Sequence, residues 1–324
     1  MMKVAIVTPV YNGGKFLATA MEAVQNQTYP NLVHVVLDNA STDDTAEIIL
    51  RYSNGRVPLI TKRNDTLLKA PANWSEAVRM FPEDVAYFKI LCADDAMSPD
   101  AMEKLVRAAQ SAADIRCVMG VDQSGGAPRP TNLPKDVTTF ECSNMLARIL
   151  GDNAEVPYHH MMYRTDTREQ TEDFFSGGVI SFDADAAFRV LSRGGRCAFV
   201  HDPIFGTLEH DGTLTATWAK KVAANHWENL LRLEKYGPGA LSRFGYERVL
   251  RRELRRIYRI VMWRMISGKA EIARRDLDGL KARGYGPSLL DFIMSVVVWP
   301  GHLYYRKIKW HTEEKAMASA PRPS

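Results

Sequence analysis

Between residues 4 and 121 the chain alternates short apolar runs with stretches of helical periodicity, and no hairpin turn joins one run to the next. Val4–Thr8, Leu32–Leu37, Val57–Thr61, Val85–Leu91 and Ile115–Val121 are short enough for buried strands. Between them Phe16, Ala20, Ala23 and Val24 recur at helical spacing, and Ser41-Thr-Asp-Asp44 caps a second helix with Ala46, Ile49 and Leu50 inward. Pro71–Met80 and Asp100–Ser111 supply two more helices. Strands that alternate with helices are joined by crossovers, which puts them side by side and parallel with helices on both faces. The expected fold class is therefore α/β: a mostly parallel, Rossmann-like sheet flanked by helices. In such sheets ligands bind outside the carboxyl ends of the strands.

What the chain lacks narrows the ligand. No Gly-x-Gly-x-x-Gly follows the first strand and no P-loop motif occurs, so dinucleotide and P-loop sites are disfavoured. A net charge of +4 on 324 residues gives no argument for nucleic acid. Cys92, Cys117, Cys142 and Cys197 are scattered without zinc spacing, which fits reduced thiols in a cytoplasmic compartment. The N-terminus reads as a first strand and not as a signal peptide.

Three strand ends carry chemistry: Thr8-Pro-Val-Tyr11-Asn12, Asp38-Asn-Ala-Ser-Thr-Asp43 and Ala93-Asp94-Asp95. An aromatic, an isolated acid and a carboxylate pair together suit a nucleoside diphosphate. Tyr11 can stack on a base, Asp38 can accept from base or ribose, and Asp94 with Asp95 can hold the bridging cation. Oxygen ligands suit Mg²⁺ or Mn²⁺. Each residue also has a plainer reading: Tyr11 as packing, Asp38 as a helix cap, and Asp94-Asp95 as caps for the helix that Ser98-Pro99-Asp100 opens.

Val7-Thr-Pro-Val-Tyr-Asn12, Gln25-Asn-Gln-Thr-Tyr-Pro30, Val36-Leu-Asp-Asn-Ala-Ser-Thr-Asp43 and Lys89-Ile-Leu-Cys-Ala-Asp-Asp95 resemble the signature loops of family 2 glycosyltransferases with the GT-A fold. Arg63-Asn64 and Asn73-Trp74-Ser75 match the family pattern between them, and the resemblance runs over roughly residues 3 to 215. It implies a nucleotide-sugar donor, a divalent metal (Mn²⁺ or Mg²⁺) and sugar transfer with inversion. By this similarity Thr8, Tyr11, Asp38, Asn73 and Asp94 lie on the donor, and Asp95 ligates the metal. The chain departs from the family at Cys92, where many members carry an acid, so ligation rests mainly on Asp95.

Pro157–Arg164 reads as a strand, in which the adjacent His159 and His160 would point to opposite faces and could not chelate one metal together. Phe182-Asp183-Ala184-Asp185 leads into a helix with Ala187, Val190 and Leu191 on its apolar side. Inverting transfer needs a carboxylate near the acceptor hydroxyl. The resemblance places the base at such a helix start, so Asp183 fits the base and Asp185 a supporting position. The family's first acid is Phe182 here. Glu209-His210-Asp211-Gly212-Thr213-Leu214-Thr215 resembles a family loop in which His210 would be a third metal ligand or a diphosphate contact.

Beyond residue 215 the composition shifts, which predicts a transferase domain over 1–215 and a helical extension over 216–324. Helices are expected over Trp218–Leu233, stopped at Gly237-Pro238-Gly239, then Phe244–Ile266, Ala270–Ala282 and an apolar Leu289–Val298. Arg248, Arg251, Arg252, Arg255, Arg256 and Arg259 line the long helix, and Trp299, Tyr304, Tyr305, Arg306, Lys307, Lys309 and Trp310 follow the apolar one. Phe292–Trp299 is far shorter than the ~20 residues that span a bilayer. The pattern suits peripheral attachment to an anionic membrane on its cytoplasmic face; packing on the catalytic domain or in a homo-oligomer is the alternative. The sequence thus predicts a metal-dependent inverting transferase of polysaccharide assembly, with a UDP-sugar donor and a glycan or lipid-linked acceptor. Its rivals are a nucleotidyltransferase, which would need a glycine- and arginine-rich loop after the first strand, and an inactive nucleotide-binding scaffold.

Overall fold

The computed structural model describes residues 1–124, 127–151, 154–167, 173–175, 181–207 and 224–297. His210 and its loop, Gly177-Gly178, and the aromatic and basic residues from Trp299 to Trp310 lie outside the described residues. The chain divides into two compact units, Met1–Lys221 with Leu231–Arg243, and Val222–Leu230 with Phe244–Ser324.

The first unit is built on one sheet of ten strands: β1 (Val4–Val10), β2 (Leu32–Asp38), β3 (Leu59–Arg63), β4 (Tyr87–Ile90), β5 (Asp95–Met97), β6 (Ile115–Ser124), β7 (Ala127–Pro128), β8 (Thr139–Glu141), β9 (Met162–Arg164) and β10 (Arg196–Thr207). The order is β3-β2-β1-β4-β9-β6-β10-β5, with β7 on β6 and β8 on β10. Neighbours β3, β2, β1 and β4 are parallel, as are β6 and β10. Every residue of β1 and β2 is buried, as expected for strands covered on both faces. Helices α1 (Leu17–Gln25), α2 (Thr45–Arg51), α3 (Ala70–Ala77), α4 (Ala101–Ala109), α5 (Cys142–Leu150) and α6 (Phe182–Leu191) accompany the strands. α1 buries Leu17, Ala20, Met21 and Val24, and α4 buries Ala101, Met102, Leu105, Val106 and Ala109, each set at helical spacing.

The α/β class stands, and the sheet adds short antiparallel strands to its parallel core. β9 runs antiparallel between β4 and β6, and β5 antiparallel beside β10. The segment read as a strand from Pro157 to Arg164 is extended only over Met162–Arg164; Tyr158–His160 is a single 3₁₀ turn, closed by the His160 amide on the Pro157 carbonyl at 3.0 Å. The alternating-face rule of a strand therefore does not apply to His159 and His160.

His34 on β2 is fully buried, with Nε2 3.0 Å from the Thr8 hydroxyl on β1. Burial pushes its pKa down to about 3. The unfolded histidine titrates near ~6.5, so between these values the unfolded chain binds one more proton. The His34 contribution is complete above pH ~6.5 and is lost as pH falls toward 3, by about 1.4 kcal/mol per pH unit. Urea unfolding at neutral pH and at about pH 5 should show a smaller acid loss for His34→Gln than for the wild type. Equal losses would place the proton elsewhere.

α7 (Ala224–Ala240) passes through Gly237-Pro238-Gly239, where the sequence predicts a stop. The Leu241 amide closes on the Gly237 carbonyl at 2.9 Å, so the helical path spans the proline. The preceding Lys235 and Tyr236 anchor this stretch: the Lys235 ammonium lies 3.0 Å, and the Tyr236 hydroxyl 2.9 Å, from Asp185 Oδ1 on α6. The second unit packs α8 (Arg243–Ile266), α9 (Ala270–Ala282) and α10 (Leu289–Val297) around Leu230, Leu254, Ile257, Tyr258, Val261, Ala273 and Leu280. No helix among the described residues is long and apolar enough to cross a membrane.

Candidate active site

Because β1, β2 and β4 are parallel neighbours, their carboxyl ends open on one edge of the sheet. Two of the loops there are stitched together. The Asn12 amide donates to Ser41 Oγ, the Gly13 amide to Thr45 Oγ1 and the Gly14 amide to Asp43 Oδ2, each at 2.9 Å. Asn12 takes a left-handed conformation (φ 49°), which asparagine tolerates better than most residues. A Cβ on Gly14 would meet Asp44 Oδ1 at 1.7 Å, so any larger residue there would push the exposed Asp44 carboxylate aside.

Tyr11 stands on this edge, 48% exposed, with its ring available. Asp38 is buried and both its oxygens are engaged: Oδ1 accepts from the Ser41 amide at 2.9 Å and Oδ2 from Arg63 at 2.6 Å. Thr8 is inside β1 with its hydroxyl on His34, so its side chain faces the core. Asn73 is buried on α3, where Oδ1 accepts from Asn64 at 3.0 Å; Asn64 also donates to Asn39, whose side chain pairs with both backbone groups of Leu68. This asparagine relay ties the ends of β2 and β3 to α3. Asn39 and Asn64 stand in the motif stretches, yet nothing in their local pattern singles them out.

Asp94 is half-exposed, whereas Asp95 is 4% exposed and starts β5 opposite Thr207 of β10. Asp95 is thus not a freely solvated loop acid. Around it lies a buried cluster. His160, fully buried and stacked on Phe205, places Nδ1 3.9 Å from Asp95 Oδ2 and Nε2 3.5 Å from Asp122 Oδ1. The His159 ring is 4.0 Å from the His160 ring, and its Nε2 is 3.1 Å from Thr207 Oγ1, which donates to Asp122 Oδ2 at 3.0 Å. Lys89, also fully buried, donates to the Ile90 carbonyl at 2.6 Å and lies 3.5 Å from His160 Nδ1.

The electrostatics follow from burial. The Asp95 carboxyl is pushed up to about 7, by burial first and then by the Asp94 charge, against the pull of Lys89. Lys89 is lowered to about 8 by burial, with Asp95 opposing. Burial, with Lys89 nearby, drives His159 and His160 well below the usual imidazole range, so both are neutral with a lone pair each. Cys92 is pushed up by burial and stays a thiol.

One carboxylate oxygen of Asp95 and one nitrogen each of His159 and His160 lie within 4.8 Å of one another. Asp95 Oδ2 is buried without a hydrogen-bond partner. An orphaned carboxylate oxygen beside two neutral imidazoles fits a divalent cation, and a two-nitrogen, one-oxygen set suits Mn²⁺ and other first-row metals better than Mg²⁺. The strand reading of Pro157–Arg164 hid this trio; the 3₁₀ turn swings both rings to one side. Asp122 was legible by the same strand-end rule that found Asp38, since it directly follows the predicted Ile115–Val121 strand. Lys89, a charge inside an apolar strand, was a second visible signal.

Asp183 is the second residue of α6, half-buried, and its charge helps raise the buried Tyr163 phenol of β9 after burial and Cys117. Asp185 is buried, with Lys235, Tyr236 and Arg189 around it.

A parallel α/β core carries an aromatic, a partnered acid and an acidic pair on one carboxyl edge, the arrangement that the resemblance to GT-A transferases implies. The model of glycosyl transferase family 2 matches residues 5–185, and the chain belongs to that family. Chondroitin synthase of Escherichia coli is 30% identical over 193 residues, 59% of this chain and 27% of that protein. Glycosyltransferase GlyG of Streptococcus pneumoniae is 28% identical over 129 residues, 38% of this chain and 41% of the relative. The chain therefore spans less than half the length of these curated relatives. Among solved structures, S. aureus TarS 1-349 in complex with UDP-GlcNAc superposes with a TM-score of 0.60 at 16% identity, over 79% of this chain and 73% of that one. Mannosyltransferase PcManGT from Pyrobaculum calidifontis, in complex with GDP-Man and Mn²⁺, gives 0.56 at 17%, over 96% and 83%. At these identities the structural likeness speaks for the fold.

Proposed function

We propose that the protein moves a sugar from a nucleoside-diphosphate donor, UDP-linked, to an acceptor hydroxyl with inversion, in the assembly of a polysaccharide. The observation that carries this reading is the convergence of Tyr11, Asp38, Asp94 and Asp95 on one carboxyl edge of the sheet, with His159 and His160 beside Asp95. Tyr11 would stack on the base. Asp38, held by Arg63 and the Ser41 amide, would present that edge to base or ribose, with Thr8 and the Asn39–Asn64–Asn73 relay fixing the loops behind it. Asp94 would face the donor. A cation, Mn²⁺ in preference to Mg²⁺, would be held by Asp95 with His159 and His160, and when bound would neutralise charge on the leaving diphosphate. His210 remains a proposed contact from outside the described residues.

Asp183 would take the proton of the acceptor hydroxyl as its oxygen bonds to the anomeric carbon and the bond from that carbon to the diphosphate breaks. Residues 1–215 are assigned this chemistry and 216–324 are assigned as an extension. The proposed acceptor is a glycan or a lipid-linked sugar, and the proposed place of action the cytoplasm, on the inner face of the membrane. The named relatives, among them a chondroitin synthase, support the polysaccharide setting.

Tyr11→Ala should raise the donor KM with little change in kcat, because base stacking is the same in ground and transition state. Donor hydrolysis with UDP-GlcNAc and other nucleotide sugars, with Mn²⁺ and with chelator, tests the reading directly. Hydrolysis that ignores chelator, or a Tyr11→Ala effect on kcat alone, would sink it.

A further inference from the structure

The described face that water leaves least explained is on α10. This nine-residue helix reads Leu-Leu-Asp-Phe-Ile-Met-Ser-Val-Val. Only Phe292 and Ser295 turn inward: the Phe292 ring lies 6.0 Å from Tyr258 of α8, and the Ser295 carbonyl accepts from Arg259 of α8 at 2.8 Å. The rest of the helix is apolar and open. Leu289 is 77% exposed, Leu290 64%, Ile293 50%, Met294 37%, Val296 39% and Val297 64%. Its one charge, Asp291, is spent at the helix start, where Oδ2 accepts from the Ser288 amide and hydroxyl at 2.8 and 2.7 Å. Contiguous apolar exposure of this kind marks an interaction surface and not ordinary surface scatter.

What flanks it identifies the partner. α8 carries eight arginines and two glutamates. Arg255 lies close enough to Asp291 to help hold that carboxyl below its usual range, after the Ser288 hydrogen bonds. Arg255 and Arg259, one turn apart on α8, thus run beside α10. One and two turns further on the same stripe come Trp263, 57% exposed, and Ile266, 79% exposed. The result is an apolar ridge beside a cationic row, with a tryptophan continuing that row. A two-fold contact between copies would cover the ridge but bring the arginine row no acid from α10, whose one carboxylate, Asp291, is already held by Ser288. Anionic headgroups over a hydrocarbon boundary answer both halves at once, the arginines by attraction and the ridge by shallow insertion.

We propose that α10, with the arginine row of α8, is a docking surface for an anionic lipid bilayer. The helix lies in the boundary and does not span it. Vesicle binding is read without nucleotide sugar, so failure of this inference leaves the transferase reading untouched.

The test is flotation of the full-length protein with vesicles of phosphatidylglycerol and phosphatidylcholine in equal parts, against phosphatidylcholine alone, at low and high salt. The wild type should float with the anionic vesicles at low salt, and lose binding in high salt and on neutral vesicles. The triple variant Leu290→Glu, Ile293→Glu and Val297→Glu changes only exposed positions. It should keep its melting temperature and helical circular dichroism while its vesicle-bound fraction falls about ten-fold or more. Wild-type protein that stays unbound at low salt overturns the proposal. So does a triple variant that floats like the wild type. A dimer that the triple variant dissociates, without any vesicle binding by the wild type, would instead assign the ridge to a second copy.

Discussion

Asp95→Asn is expected to abolish transfer while leaving the fold in place. The substitution keeps the volume of a side chain that is 4% exposed, so no cavity opens. It removes the carboxylate that sustains the Lys89 charge in a fully buried setting. Lys89 is already lowered to about 8, and without Asp95 it can shed its proton near neutral pH in preference to remaining an uncompensated charge. The chemical loss is of a different order. The asparagine cannot offer the anionic oxygen now orphaned beside His159 and His160, and removing one such electrostatic contact costs roughly 10²–10³ in kcat. Mn²⁺ titration followed by the electron paramagnetic resonance of the free ion should show affinity reduced at least about ten-fold. Near wild-type turnover with undiminished Mn²⁺ binding would place the cation elsewhere.

Asp183→Asn should act on turnover alone. Asp183 lies at the start of α6, on a different element from the β1, β2 and β4 ends that would hold the donor. Removal of a general base lowers kcat by roughly 10²–10⁴. Donor KM and Mn²⁺ affinity should stay within about two-fold of wild type, since the residue would meet the reaction only as the acceptor proton leaves. Parallel losses in donor binding and turnover, with a lowered melting temperature, would mark Asp183 as a structural residue of the helix start.

The two predictions rest on different kinds of legibility. The acidic pair was visible because a strand, two carboxylates and a capped helix follow one another within a few residues, and local order alone puts them on a strand end. Asp183 was visible only through resemblance, since an acid at a helix start is also the commonest cap. Local order argues against His159 and His160 as a chelating pair. In a strand, neighbouring side chains diverge, and nothing nearby in the chain announced the 3₁₀ turn that brings their rings to 4.0 Å. Lys89 and Asp122 take their meaning from partners 71 and 85 residues away, which local sequence does not show.

By itself the sequence determined the α/β class, the order of the parallel strands' motifs and the edge on which polar chemistry collects. These follow from hydrophobic period, caps and turn residues, which act over a few neighbours. Only the tertiary structure decided which groups meet. It brought Thr8 inward onto His34, enclosed Asp38 with Arg63, and made Asp95 a buried acid facing two neutral imidazoles and a buried lysine. The consecutive strands β4 and β5, strand β6, the 3₁₀ turn of His159 and His160, and strand β10 carry this cluster from distant parts of the chain. Their side chains share one dielectric environment only after the sheet has closed around them, and burial is what shifts their charges and leaves Asp95 Oδ2 in want of a partner.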